Sequence, residues 1–206
     1  MLVALLTVVC PQTVNARDDG DDIYEMSLDD NLVTPEIKND KQAEKIQDFQ
    51  YDMAVAFKQS NYDVEVMRDN EVIVVTIPAS VLFAPNDTVI TALGETQLKP
   101  FLRMVKNPGF YKLLLVMHHD NTGSPEYILE LTRQRVNAVF DWFDENGSVD
   151  YVVPYALGDT DPLVDNNSVD NRKRNRRLEL YLVPEKTMIQ QAKKGRINIS
   201  NIAKEK

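Results

Sequence analysis

The chain has 206 residues, 43% of them hydrophobic and 27% charged, with a formal net charge of −9. That size and balance suit one ordinary domain with tails, and the acidic charge argues against a general nucleic-acid binder. No apolar run approaches the ~18 residues of a membrane-spanning helix, and no series of about ten amphipathic strands could build a membrane barrel.

The first sixteen residues carry no charged side chain. Leu2 to Val9 is an apolar stretch, and Val14-Asn15-Ala16 ends in a small residue. This pattern resembles a secretory signal cleaved after Ala16, although no basic segment precedes the apolar stretch. A second reading makes Cys10 a lipidated N-terminus, with Val9 larger than such a site normally accepts. Cleavage at Ala16 would leave a product without cysteine, held together by its core alone. Residues 17–40 are acidic and poor in apolar side chains, which predicts a flexible tether.

Over 41–61 the residues Ile46, Phe49, Met53 and Phe57 recur at spacings of three and four, predicting a helix with one buried face. Val64 and Val66 then alternate with charges, Asp69-Asn70 supplies a turn, and VIVVTIP is β-branched, so a hairpin is expected. Thr91 to Lys106 reads as a helix that Pro100 kinks. Lys112 to Met117 is a short buried strand. Ser124-Pro125-Glu126 looks like a helix start, with Thr132 as a second candidate cap; either helix runs to Asn146 and stops at Gly147. Tyr151 to Ala156 is a strand, 158–171 a polar loop, Leu178 to Val183 the last strand, and 185–206 a charged tail, part of it open to helix. The order predicts an α/β two-layer sandwich: a βαβαββ-type mixed sheet with helices on one face, preceded by a helix and hairpin.

Chemistry is sparse. The two histidines, His118 and His119, are adjacent. No G-x-S-x-G, H-E-x-x-H or C-x-x-C motif occurs, so no enzyme is predicted. A metal is not predicted either, because neighbours on a strand point to opposite faces and no distant histidine or cysteine completes a set. In NRKRNRRLEL, residues 171–180, basic side chains run straight into a strand. The run reads either as arginines fixed against the sheet end, where a planar guanidinium suits a carboxylate, or as a solvated patch.

Four motifs follow in order: HHDNTG after a strand, LTRQRVNAVFDWF, ALGDTDP, and NNSVDNRKRNRRLEL. Their order and spacing closely resemble the OmpA C-terminal-like domain family, shared with Pal lipoproteins and MotB stators, over residues 62–184. The resemblance implies non-covalent binding of peptidoglycan through the diaminopimelate of its stem peptide, with no cofactor. It places Asp120 on the ligand ammonium and Arg135 on its carboxylate, with Arg176 bracing the site. Asn121, Thr122 and Asn86 are implied as loop contributors. Met117, His119, Ile128, Val136 and Asn171 depart from the family pattern, the first three near the expected pocket. Such a protein would sit in the periplasm or against the outer membrane and anchor it to the wall. The alternative is the same fold with a degenerate pocket, binding a protein partner or a second copy through 41–58 or 184–206. Asp120 and Arg135 could also form a plain surface ion pair, worth ~0–1 kcal/mol.

Overall fold

The computed structural model describes residues 23–197 except Pro108. The expected signal segment 1–16, Cys10, the start of the tether and the last nine residues lie outside the described residues.

Helix α2 (Asp40–Gln59) follows the short α1 (Leu28–Asn31). It buries Ile46, Phe49, Gln50, Met53, Ala54 and Phe57, the stripe its periodicity predicts. It ends where Asn61 takes φ 64°, a left-handed conformation that Asn tolerates. Strands β1 (Asp63–Met67) and β2 (Val72–Pro78) pair antiparallel. Three residues at their turn, Arg68, Asp69 and Asn70, have positive φ.

The segment expected to be one kinked helix is three pieces after a short α3 (Ala79–Leu82). These are α4 (Ala92–Leu98), a 3₁₀ turn (Lys99–Phe101) and α5 (Leu102–Val105). Pro100 cannot donate to the helix ladder, and the tighter turn absorbs it. Phe101 is thereby swung inward to stack on Phe57 at 5.0 Å between ring centroids.

Strand β3 (Tyr111–His118) is buried along its whole length. Helix α6 (Pro125–Asn146) starts at the first predicted cap, where the Ser124 hydroxyl accepts the Tyr127 N–H. Thr132 is mid-helix instead, its hydroxyl donating to the Ile128 carbonyl at 2.5 Å. Strand β4 (Val152–Gly158), helix α7 (Val169–Asn175), strand β5 (Arg177–Pro184) and helix α8 (Lys186–Lys193) complete the chain.

Among the described residues the sheet has five strands in the order β1-β2-β5-β3-β4. Only β3 and β4 run parallel, joined by α6 as the crossover. One face, carrying Ile73, Val75, Leu113, Leu115, Leu180 and Leu182, packs against the long helices. Both ends of the chain depart from their expected roles. The C-terminal tail is partly core, since α8 buries Met188, Ile189 and Ala192 beside α2. The tether is partly docked over its described residues: Ile23, Leu28 and Leu32 pack on the sheet's second face against Val72, Leu114, Val116, Val153 and Val183. The physical reason is that the face away from the helices also carries apolar residues, Leu114 and Val116 of β3 and Val183 of β5 among them, and these need cover.

Candidate functional site

The site lies beyond the C-terminal end of β3, where the ladder with β4 shifts register between Met117 and His118. The His119 N–H donates to the Gly158 carbonyl at 2.7 Å, and Asp120 leaves the sheet one residue later. Its Oδ1 accepts the Thr122 N–H at 2.8 Å, an Asx turn that folds D-N-T-G back toward α6. Gly123, at φ 129°, closes the turn where a Cβ would sit 3.0 Å from the Tyr127 ring.

Asp120 is fully buried, with Arg176 donating to its Oδ2 and His119 Nδ1 lying 3.5 Å from Oδ1. Burial pushes its pKa up. The hydroxyl and N–H of Thr122, with the nearby charges of Arg176 and His119, outweigh that and hold the carboxyl below its ordinary range. The group is a carboxylate at neutral pH.

Arg135 lies in the third turn of α6 and is also buried. Its Nε donates to the Asp87 carbonyl at 2.9 Å and its Nη2 to the Ala84 carbonyl at 3.3 Å. The guanidinium lies 5.0 Å above the Phe83 ring, within cation–π range. Its pKa is lowered, by burial first and by the neighbouring Arg176 charge, yet an arginine stays ionised. Among the described residues no hydrogen bond engages its Nη1, and no carboxylate pairs with it.

The loop under Arg135 has a sequence signal that motif reading passed over. Ala84-Pro85-Asn86-Asp87 carries Pro at the second position and Asn86, at φ 56°, at the third, the signature of a type II turn. That turn aims two carbonyls at one guanidinium. Asp87 Oδ1 accepts the Thr88 and Val89 N–H groups at 2.7 and 3.1 Å, which fixes the loop's exit. Asn86 does reach the site's rim, accepting the Tyr127 hydroxyl at 3.3 Å.

Of the predicted residues, Asp120, Thr122 and Arg176 form one hydrogen-bonded cluster. Arg135 of α6 is held by the 84–87 turn that contains Asn86, and Asn121 is exposed without a side-chain hydrogen bond among the described residues. Asp120 and Arg135 do not pair with each other, which removes the plain ion-pair reading. Two departures expected near the pocket are core residues: Met117 packs under the helices, and Ile128 faces Gly123 and Gly158. His119 is at the site, its Nδ1 lying 2.8 Å from the Asp120 carbonyl.

The basic run is mostly internal structure. Asn175 is fully buried and ties Val164 and Asn166 down. Arg172 holds the Asn166 carbonyl, and Arg177 donates to Glu179 at 2.7 Å. The solvated reading is left to Lys173 and Arg174.

Residues 82–176 match the model of the OmpA family. A curated relative, the probable lipoprotein YiaD of Escherichia coli (strain K12), is 23% identical over 128 residues, covering 62% of this chain. The match spans 58% of that relative's own length. A MotB-like protein from Desulfovibrio vulgaris shares the fold, with 23% identity, a TM-score of 0.61, and coverage of 70% of this chain and 99% of that one. The cell wall anchor of the T6SS from Pseudomonas aeruginosa aligns with 25% identity and a TM-score of 0.53, covering 68% of this chain and 97% of that one. No helix of the described residues is long and apolar enough to cross a membrane.

Proposed function

We propose, from the match of residues 82–176 to the OmpA family, that this protein is a cell-envelope anchor gripping peptidoglycan without covalent chemistry. Its handle is the diaminopimelate of the stem peptide, whose free end carries both an ammonium and a carboxylate. The observation that carries this reading is a buried anion and a buried cation, both neighbours of Arg176, each held by something other than the other. Asp120 offers the carboxylate for the ammonium. Arg135, fixed by two carbonyls and a ring, keeps Nη1 for the ligand carboxylate. Asp120 is paired at rest with Arg176 and Arg135 with backbone carbonyls, so the two opposite charges do not neutralise each other. Resemblance to a cell wall anchor and to a lipoprotein favours the same placement.

Hydrogen bonds to charged partners contribute ~1.5–3 kcal/mol each. Two or three of them, less the entropy of association, give micromolar to millimolar affinity. Many copies on a polymeric wall raise the avidity. The protein-module alternative would have to use the polar faces of α2 and α8, because their apolar faces are already in the core.

The test is calorimetric titration of the chain from Arg17 onward with a soluble muropeptide carrying diaminopimelate, beside Asp120→Asn and Arg135→Ala. Binding by the wild type that falls at least about tenfold, roughly 1.4 kcal/mol, in both folded variants is expected. A folded wild type silent at millimolar ligand would end the reading.

A further inference from the structure

Asp120 has no accessible surface, so a ligand ammonium cannot reach its oxygens unless a present partner gives way. Three groups hold that carboxylate. The Thr122 N–H is part of the turn that shapes the loop. The His119 ring is buried and lies against the Asp120 carbonyl. Arg176 differs from both: its backbone is pinned where its carbonyl accepts the Ala79 N–H at 2.9 Å, but its side chain is 33% exposed. A long side chain that is anchored at its base and partly exposed can leave the carboxylate without moving the backbone.

We propose that Arg176 is a displaceable latch, an internal cation that occupies the ammonium subsite at rest and competes with the ligand for Asp120. This rests on the wall-binding reading and adds a regulation to the same site. The exchange conserves charge, because one cation replaces another and the carboxylate is paired in both the resting and the ligand-bound state. Arg135 cannot play this part, since two carbonyls and Phe83 hold it in place. The latch reverses the expectation for a brace. Removing a brace weakens binding; removing a competitor strengthens it, by the reciprocal of the fraction of molecules open at rest.

The experiment compares wild type, Arg176→Gln and Arg176→Lys against the same soluble muropeptide, reading association rate and affinity together. The hydrogen bonds from Thr122, which favour the ionised carboxyl of Asp120, remain in the glutamine variant. Arg176→Gln is expected to associate faster and bind about tenfold tighter if roughly one molecule in ten is open at rest. Arg176→Lys, which keeps a cation, should stay close to wild type. Wild-type binding with equal or weaker binding by Arg176→Gln overturns the latch and leaves wall binding intact. Two folded proteins that both fail to bind overturn both readings. The wild type alone provides a second measurement should the glutamine variant not fold. Its Arg176 Nε–H resonance must shift when the muropeptide saturates the site, and an unmoved resonance overturns the latch.

Discussion

At Glu179 burial and local partners pull the carboxyl in opposite directions. Burial raises its pKa, while hydrogen bonds involving His118 and Tyr181 and the charges of His118 and Arg177 lower it further, to about 2. The Tyr181 hydroxyl donates at 2.6 Å, Arg177 at 2.7 Å, and His118 Nε2 lies 3.3 Å away. A folded-state pKa below the unfolded one stabilises the protein above the unfolded value of about 4.3. That contribution is lost as pH falls through the folded value. Urea midpoints should therefore decline between about pH 4.3 and the folded value of about 2, with a shallower decline in Glu179→Gln. At neutral pH the same variant should cost ~3–5 kcal/mol, because Arg177 is left buried without its carboxylate. Equal midpoints for the two proteins at neutral pH would show the pair to be incidental. Sequence alternation put Glu179 and Tyr181 on one face of a strand, but nothing local linked them to a histidine on another strand.

The strap over 23–32 and helix α8 show how far an element's role depends on its neighbours. Asn31 is fully buried in α1, donating to the Ile23 carbonyl and the Tyr155 hydroxyl, both at 2.6 Å. The Tyr155 hydroxyl in turn donates to the Met26 carbonyl at 3.0 Å. Polar side chains thus fasten a segment with few apolar residues. Asn31→Ala should cost ~1–3 kcal/mol by leaving buried groups unpaired. Hydrogen exchange checks the geometry: amides of 23–32 should lose protection in this variant while those of β3 keep theirs. Unchanged protection in the strap would mean that its apolar contacts alone hold it.

For the whole molecule, the helices outside the motif-bearing segment decide whether a core exists. Helix α2 supplies Ile46, Phe49, Met53 and Phe57, and α8 supplies Met188 and Ile189, to the same cluster as the sheet. A fragment limited to 62–184 would expose that face to water. It should bind hydrophobic dyes and lack a cooperative thermal transition, whereas 23–197 should melt in one step. A fragment melting as sharply, and at the same temperature, would reduce both helices to appendages.

The sequence by itself determined the strands and the long helices, because these are local. Helical and strand periodicities record which side is buried, and Ser124-Pro125 records where α6 starts. The resemblance carried by the ordered motifs proposed Asp120, Arg135 and Arg176 for one site. Tertiary structure alone decided which charge holds which. Asp120 and Arg176 stand 56 residues apart, and Arg135 and the Ala84 carbonyl 51 apart, beyond any local pattern. It also decided that an acidic leader and a basic tail are partly cover for the core. Composition reports average polarity, whereas burial depends on a few apolar residues meeting a face that would otherwise stay wet.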